Sequence, residues 1–188
     1  MRAGLGGWSV DDIVEYLKTG ANAYAAASGP MAEEVMDSTS YLTLTDLRAI
    51  ATYLKDQPSS SDEDKPMAVA TDDPQMRAGQ AIYQDQCAAC HTSSGSGIAR
   101  MFPSLKGNPS VQSSHADSVL QVILNGTRAV ATEYAPTGPA MPAFAWKLSD
   151  DQVAAVATFV RNAWGNNANP VAPGEVKEAR QAMAERQD

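Results

Sequence analysis

The 188-residue sequence predicts an all-α fold: one complete helical unit, preceded by the helical remnant of a second unit of the same kind. Three observations point there. Ser, Thr and Asp recur just ahead of apolar stretches with a three-to-four-residue period, the signature of capped amphipathic helices. Two stretches repeat at an offset of 106 residues: Ala51-Thr52-Tyr53-Leu54 returns as Ala157-Thr158-Phe159-Val160, and Gly20 returns as Gly126. The only two cysteines stand in one pentapeptide, Cys87-Ala88-Ala89-Cys90-His91, entered from residues 76–86, which have helical composition and no β-branched run.

The elements follow in order. Ser9 is the N-cap of a first helix, with Asp11 and Asp12 at its positive end and Ile13, Val14, Tyr16 and Leu17 on one face. Gly20 ends it. Residues 31–35 suit a short helical piece. Thr45-Asp46 is expected to cap a helix over 47–55, with Leu47, Ile50, Ala51 and Leu54 along one side. Residues 58–66 are serine-rich, acidic and bracketed by Pro58 and Pro66, the composition of a linker. Asp73 followed by Pro74 is a strong helix start leading to the pentapeptide. A glycine- and serine-rich loop comes next. Ser114 or Asp117 opens a helix carrying Val119, Leu120, Val122, Ile123 and Leu124, stopped by Gly126. Residues 127–147, with Pro136, Gly138, Pro139 and Pro142, read as irregular. Ser149-Asp150-Asp151 caps a last strong helix over 152–164. Residues 174–187 are helix-compatible but highly charged, a frayed tail or an interaction helix. The expected domains are therefore 1–57, a half-unit without its own cysteine motif; 58–71, a linker; 72–166, the complete unit; and 167–188, a charged tail.

Hydrophobic residues make up 44% of the chain, enough to build a core. The formal net charge is −8, which argues against nucleic acid as a partner, since its binders present basic faces. Such a surface suits a basic patch on a protein partner, with charge mainly setting the encounter rate. No apolar run approaches the ~20 residues of a membrane span. Residues 1–7 lack the apolar stretch of a secretory signal; should the chain carry a group that is attached only after export, the export signal is expected to be upstream or already removed.

The pentapeptide reads C-x-x-C-H, the attachment sequence of a c-type haem. Two thiols at this spacing can each add to one vinyl group of the haem, and the adjacent histidine can serve the iron as proximal ligand. A thioredoxin-type redox pair and a zinc site completed by His115 are the alternatives. An electron-transfer haem takes a sixth ligand, and a thioether raises its potential. Met141, 50 residues past His91 between Pro139 and Pro142, is the best placed; filling a core gap is its plain alternative. Met101 and His115 are rivals, the first suiting a packing role and the second a polar helix start. Met31 reads as packing. The proximal imidazole needs its other nitrogen held, and the carbonyl of Pro103 is within chain reach. Ile98, Leu105, Val119, Ile123, Trp146, Val156 and Phe159 are candidates to line the haem, while Trp146 and Trp164 suit plain core roles equally well.

These stretches carry a resemblance. Residues 6–20, Gly29-Pro30-Met31, residues 46–54, Cys87 to His91, residues 100–105 and Met141-Pro142-Ala143-Phe144 resemble the class I cytochromes c. More narrowly, they resemble the multihaem cytochrome c subunit of bacterial membrane-bound alcohol, aldehyde and gluconate dehydrogenases. The resemblance covers most of residues 5–165. It implies a cytochrome c domain over 72–166 and one covalent haem c on Cys87 and Cys90, with His91 and Met141 axial. It also implies an electron carrier rather than an enzyme. Its partners would be a dehydrogenase catalytic subunit and a downstream acceptor, quinone or an oxidase. The expected location is periplasmic, at the outer face of the inner membrane, with peripheral association through the complex. The chain departs from the family in holding one C-x-x-C-H where relatives have three. A second reading, with Met141 off the iron, is a five-coordinate haem protein acting on peroxide or a small ligand.

Overall fold

The computed structural model describes residues 5, 7–57, 66–67, 69–99, 101–134 and 136–185. Most of the expected linker, 58–65, and Arg100 lie outside the described residues. The described chain forms eight α-helices: α1 Val10–Thr19, α2 Pro30–Asp37, α3 Leu44–Asp56, α4 Pro74–Gln86, α5 Ala88–His91, α6 Asp117–Asn125, α7 Asp150–Asn162 and α8 Pro173–Ala184. One two-stranded antiparallel ribbon joins them, β1 Thr127–Arg128 with β2 Ala140–Met141. The fold is all-α apart from that ribbon.

The helix starts are chemical. Ser9 and Ser149 each close a capping box, with Asp12 and Gln152 reaching back to the cap's own N–H. Asp73 accepts from Gln75 N–H at 2.7 Å, with Pro74 at the first helical position. At α3 the cap lies two residues earlier than expected. Thr43 Oγ1 accepts from Asp46 N–H at 3.2 Å and donates to the Asp46 carboxylate at 2.7 Å, so Asp46 is the third residue of the helix and not its cap.

Helices α4 and α7 make the most extensive interhelical contact and organise the larger core. Their crossing is close because Gly79 faces α7: a Cβ there would run into the Ala155 carbonyl oxygen. Tyr83, Phe159 and Trp164 form an aromatic triangle beside it, with centroids 4.9–5.4 Å apart. The core continues through Leu120, Leu124, Val153 and Val156, all at most 2% exposed.

Two stretches differ from expectation. Residues 127–128 and 140–141 pair as a ribbon where irregular chain was expected; strands two residues long leave no alternation to read. The stretch expected as a frayed tail or an interaction helix forms α8 over its described residues. Helix α8 packs on α6 and α7, with Val176 fully buried and Ala179 and Met183 on the same stripe against the core. The charges occupy its other faces, so three apolar residues suffice.

The first 57 residues have a smaller core of their own, built from Trp8, Ile13, Val14, Leu17, Leu47 and Ala51. The repeat is visible in burial: Leu47 and Ala51 are fully buried, as are Val153 and Ala157 at the same offset. A third cluster, Ala27, Val35 and Val130, joins the two cores. Asn108 Nδ2 also donates to the Tyr24 carbonyl across this boundary at 2.9 Å.

Candidate haem site

The site is built on the end of α4. Cys87 is its C-cap, its N–H donating to Tyr83 O at 2.9 Å, and the next residues turn once more as α5. The N–H groups of Cys90 and His91 both return to Cys87 O, at 3.2 and 2.9 Å. The pentapeptide is therefore a closed helical turn, which sets both thiols and the imidazole on one short rigid piece. Both cysteines are free thiols, half-buried.

His91 is 8% exposed. Its Nδ1 lies 3.1 Å from the Pro103 carbonyl oxygen. A carbonyl only accepts, so Nδ1 carries the proton, and the Nε2 lone pair is the one available to a metal. Burial lowers the pKa of the imidazole, against a smaller opposing effect of the Pro103 bond. A neutral imidazole of fixed tautomer is what an iron ligand requires.

The loop that brings Pro103 into place is tied down at several points. Tyr83 OH donates to Thr92 O at 2.6 Å, and Trp164 Nε1 donates to Ser93 O at 3.1 Å. Leu105 N–H donates to Gly95 O at 2.8 Å, and its own carbonyl accepts from Asn166 Nδ2 at 2.9 Å. The half-buried Leu105 side chain packs on the larger core. Thr92 holds φ at +63°, a strained value for a β-branched residue, stabilised where Thr92 Oγ1 accepts from Ser96 N–H at 3.2 Å.

Met141 stands on β2, paired with Thr127, half-buried and packed on the same core as Cys87 and Leu105. Gly126 is needed beside it: φ there is +69°, and a Cβ would press on the Met141 carbonyl oxygen. Beyond Met141, Phe144 N–H and Ala145 N–H donate to Ile123 O and Leu124 O at 3.0 and 3.2 Å. Lys147 donates to Gln86, the residue before Cys87, which brings this loop to the edge of the pentapeptide.

The rivals are placed otherwise. Met101 is 51% exposed. His115 is exposed, with its carbonyl rather than its ring engaged, accepting from Arg161. Met31 lies on the first turn of α2 in the smaller half, 37% exposed. Of the expected lining residues, Val119, Ile123, Val156 and Phe159 are buried in the core, Ile98 is 43% exposed, and Trp146 is 82% exposed on the loop after Met141.

Burial and the neighbouring Cys90 push the Cys87 thiol up to about 11. A redox dithiol works through a lowered thiol pKa, so this environment speaks against the thioredoxin-type alternative. Among the described residues no three His, Cys, Asp or Glu side chains gather to hold a metal ion, so His115 does not complete a zinc site. Two free thiols and a neutral, oriented imidazole on one turn, with a thioether held on the same core, fit a c-type haem.

One buried, multiply bonded residue carried no sequence signal. Arg161 is 1% exposed and donates to Val111, Ser113, His115 and Asn169 carbonyls at 2.9–3.4 Å, fixing the approach to α6.

Comparison with known proteins agrees with the geometry. The family model described as Cytochrome c matches residues 76–164. The chain is 41% identical over 180 residues to the alcohol dehydrogenase (quinone) cytochrome c subunit of Gluconobacter oxydans (strain 621H), covering 92% of this chain and 37% of that protein. It is 37% identical over 178 residues to the gluconate 2-dehydrogenase cytochrome c subunit of Pantoea cypripedii, covering 89% of this chain and 40% of that one. It is 35% identical over 83 residues to cytochrome c6 of Leptolyngbya boryana, covering 44% of this chain and 86% of that protein. The chain thus spans about two fifths of the length of the dehydrogenase subunits it matches.

Proposed function

This chain belongs to the cytochrome c family, and on that premise we propose that it relays electrons, through a single covalent haem c, from a periplasmic dehydrogenase towards quinone or an oxidase. The family makes it an electron carrier with a c-type haem. The relatives that are dehydrogenase subunits support a dehydrogenase catalytic subunit as donor. Peripheral association with the inner membrane through that complex belongs to the same proposal.

The observation that carries the reading is the buried His91, its Nδ1–H held by Pro103 O on the turn that presents both thiols. The bound haem supplies one reversible electron through its Fe(III)/Fe(II) couple. Cys87 and Cys90 attach it as thioethers. His91 offers Nε2 to the iron, and the Pro103 carbonyl holds that ring against rotation. Met141 offers its thioether from a ribbon anchored to the end of α6. Val119, Ile123 and Phe159 belong to the buried apolar core against which Cys87 and Met141 pack, and an apolar surround of this kind tunes potential.

Intact mass and a haem-stained gel test the stoichiometry: one haem mass and no free thiol are expected. The oxidised protein should show the weak far-red band of sulfur ligation, and the reduced protein should resist carbon monoxide. A second haem mass, or free thiols, defeats the single-haem assignment. Rapid carbon monoxide binding would favour the five-coordinate reading.

A further inference from the structure

We propose that Arg180 is a positioning residue for the Met141 thioether, so that helix α8 acts as a strap holding the ligand loop closed. The inference rests on the reading that Met141 is the sixth ligand.

Each nitrogen of the Arg180 guanidinium is engaged with a different part of the chain. Nη1 donates to Ala145 O at 2.7 Å, Nη2 to Leu148 O at 2.6 Å, and Nε to Asp150 Oδ1 at 2.7 Å. Two of the three bonds end on main-chain oxygens of the loop that follows Met141. A surface ion pair with Asp150 alone would leave those carbonyls to water. The planar fork of arginine is suited to this, since its donors are fixed relative to one another.

Ala145 is thereby held from both sides. Its N–H donates to Leu124 O at the end of α6, and its carbonyl accepts from α8. Three residues separate it from Met141, and the first of these is Pro142, whose φ is locked. A restraint at Ala145 is therefore transmitted to Met141 through a short, stiff tether. The guanidinium is itself held in place, because Val176, Ala179 and Met183 fix α8 to the core. The strength of an intramolecular ligand against a free competitor depends on its effective concentration, which a stiff tether raises. Arg180 therefore acts on the iron site without touching it.

The test uses the full haem-loaded chain and imidazole as a competing ligand for the oxidised protein. Arg180→Ala should bind imidazole about tenfold more tightly than wild type, with partial loss of the far-red band. Arg180→Lys keeps the charge but cannot span all three acceptors, and an increase of about threefold is expected. Lys177→Ala, which removes an exposed charge from the same helix, should stay within about twofold of wild type. A purely structural role would lower the unfolding midpoint and leave the imidazole affinity of the folded protein unchanged. Wild-type affinity in both Arg180 variants, with intact c-type spectra, overturns the inference; if the alanine variant does not fold, the lysine variant decides it. A wild-type protein without the far-red band overturns the Met141 assignment itself, and so is told apart from failure of the strap alone.

Discussion

At the residue scale the most consequential side chain outside the haem site is Arg161. A guanidinium 1% exposed must have its donors satisfied, and four backbone carbonyls do this. Burial lowers its pKa, with Glu175 opposing. Arg161→Leu should cost about 3 kcal/mol, because the freed carbonyls stay buried while the leucine recovers only part of the loss. A denaturant midpoint measured on the haem-loaded protein checks this; a change below about 1 kcal/mol would mean that water replaces the arginine. In sequence an arginine in the last turn of a helix reads as a solvated charge favouring the dipole. His91 was more legible than Arg161, since its role is set by adjacency to Cys90, whereas the partners of Arg161 lie up to 50 residues away.

At the element scale the α4–α7 crossing sets the site, since α4 ends in the pentapeptide. Gly79 permits it. Replacing Gly79 with alanine gains up to about 1 kcal/mol of helix propensity. It also drives a Cβ into the Ala155 carbonyl and to 2.7 Å from Phe159 Cβ, an overpacking worth about 2–3 kcal/mol. The clash outweighs the propensity, so Gly79→Ala should destabilise by about 1–2 kcal/mol, read as a lower denaturant midpoint at unchanged slope. A gain in stability would show that the helices can part at no cost. From sequence a glycine within a helix is only a weakness; its purpose lies on the partner helix. The caps at Ser9, Asp73 and Ser149 were legible because donor and acceptor lie two or three residues apart. The displaced cap at Thr43 shows the limit of that reading, since Thr43, Thr45 and Asp46 all have capping chemistry and only the chain path selects among them.

At the scale of the whole molecule the two halves are unequal copies. In α7 every residue from 153 to 161 is buried, whereas in α3 only Leu47 and Ala51 are, with Leu44, Ile50 and Tyr53 exposed by 60%, 36% and 66%. Local opening needs less free energy where fewer apolar contacts break. Amides of residues 47–54 should therefore exchange at least about 100-fold faster than those of 153–160, and equal protection would show that the first half shares the full stability of the second. The sequence by itself determined the helix starts at Ser9, Asp73 and Ser149, the repeat and the thiol–thiol–imidazole spacing. Each is a relation among residues a few bonds apart or a pattern repeated along the chain. Only the tertiary structure decided that Pro103 O holds the His91 ring, that Met141 lies on a ribbon, and that a charged terminal helix folds back to pin the loop beside it. Those relations join residues distant in the chain, and their distances are set by how the core packs.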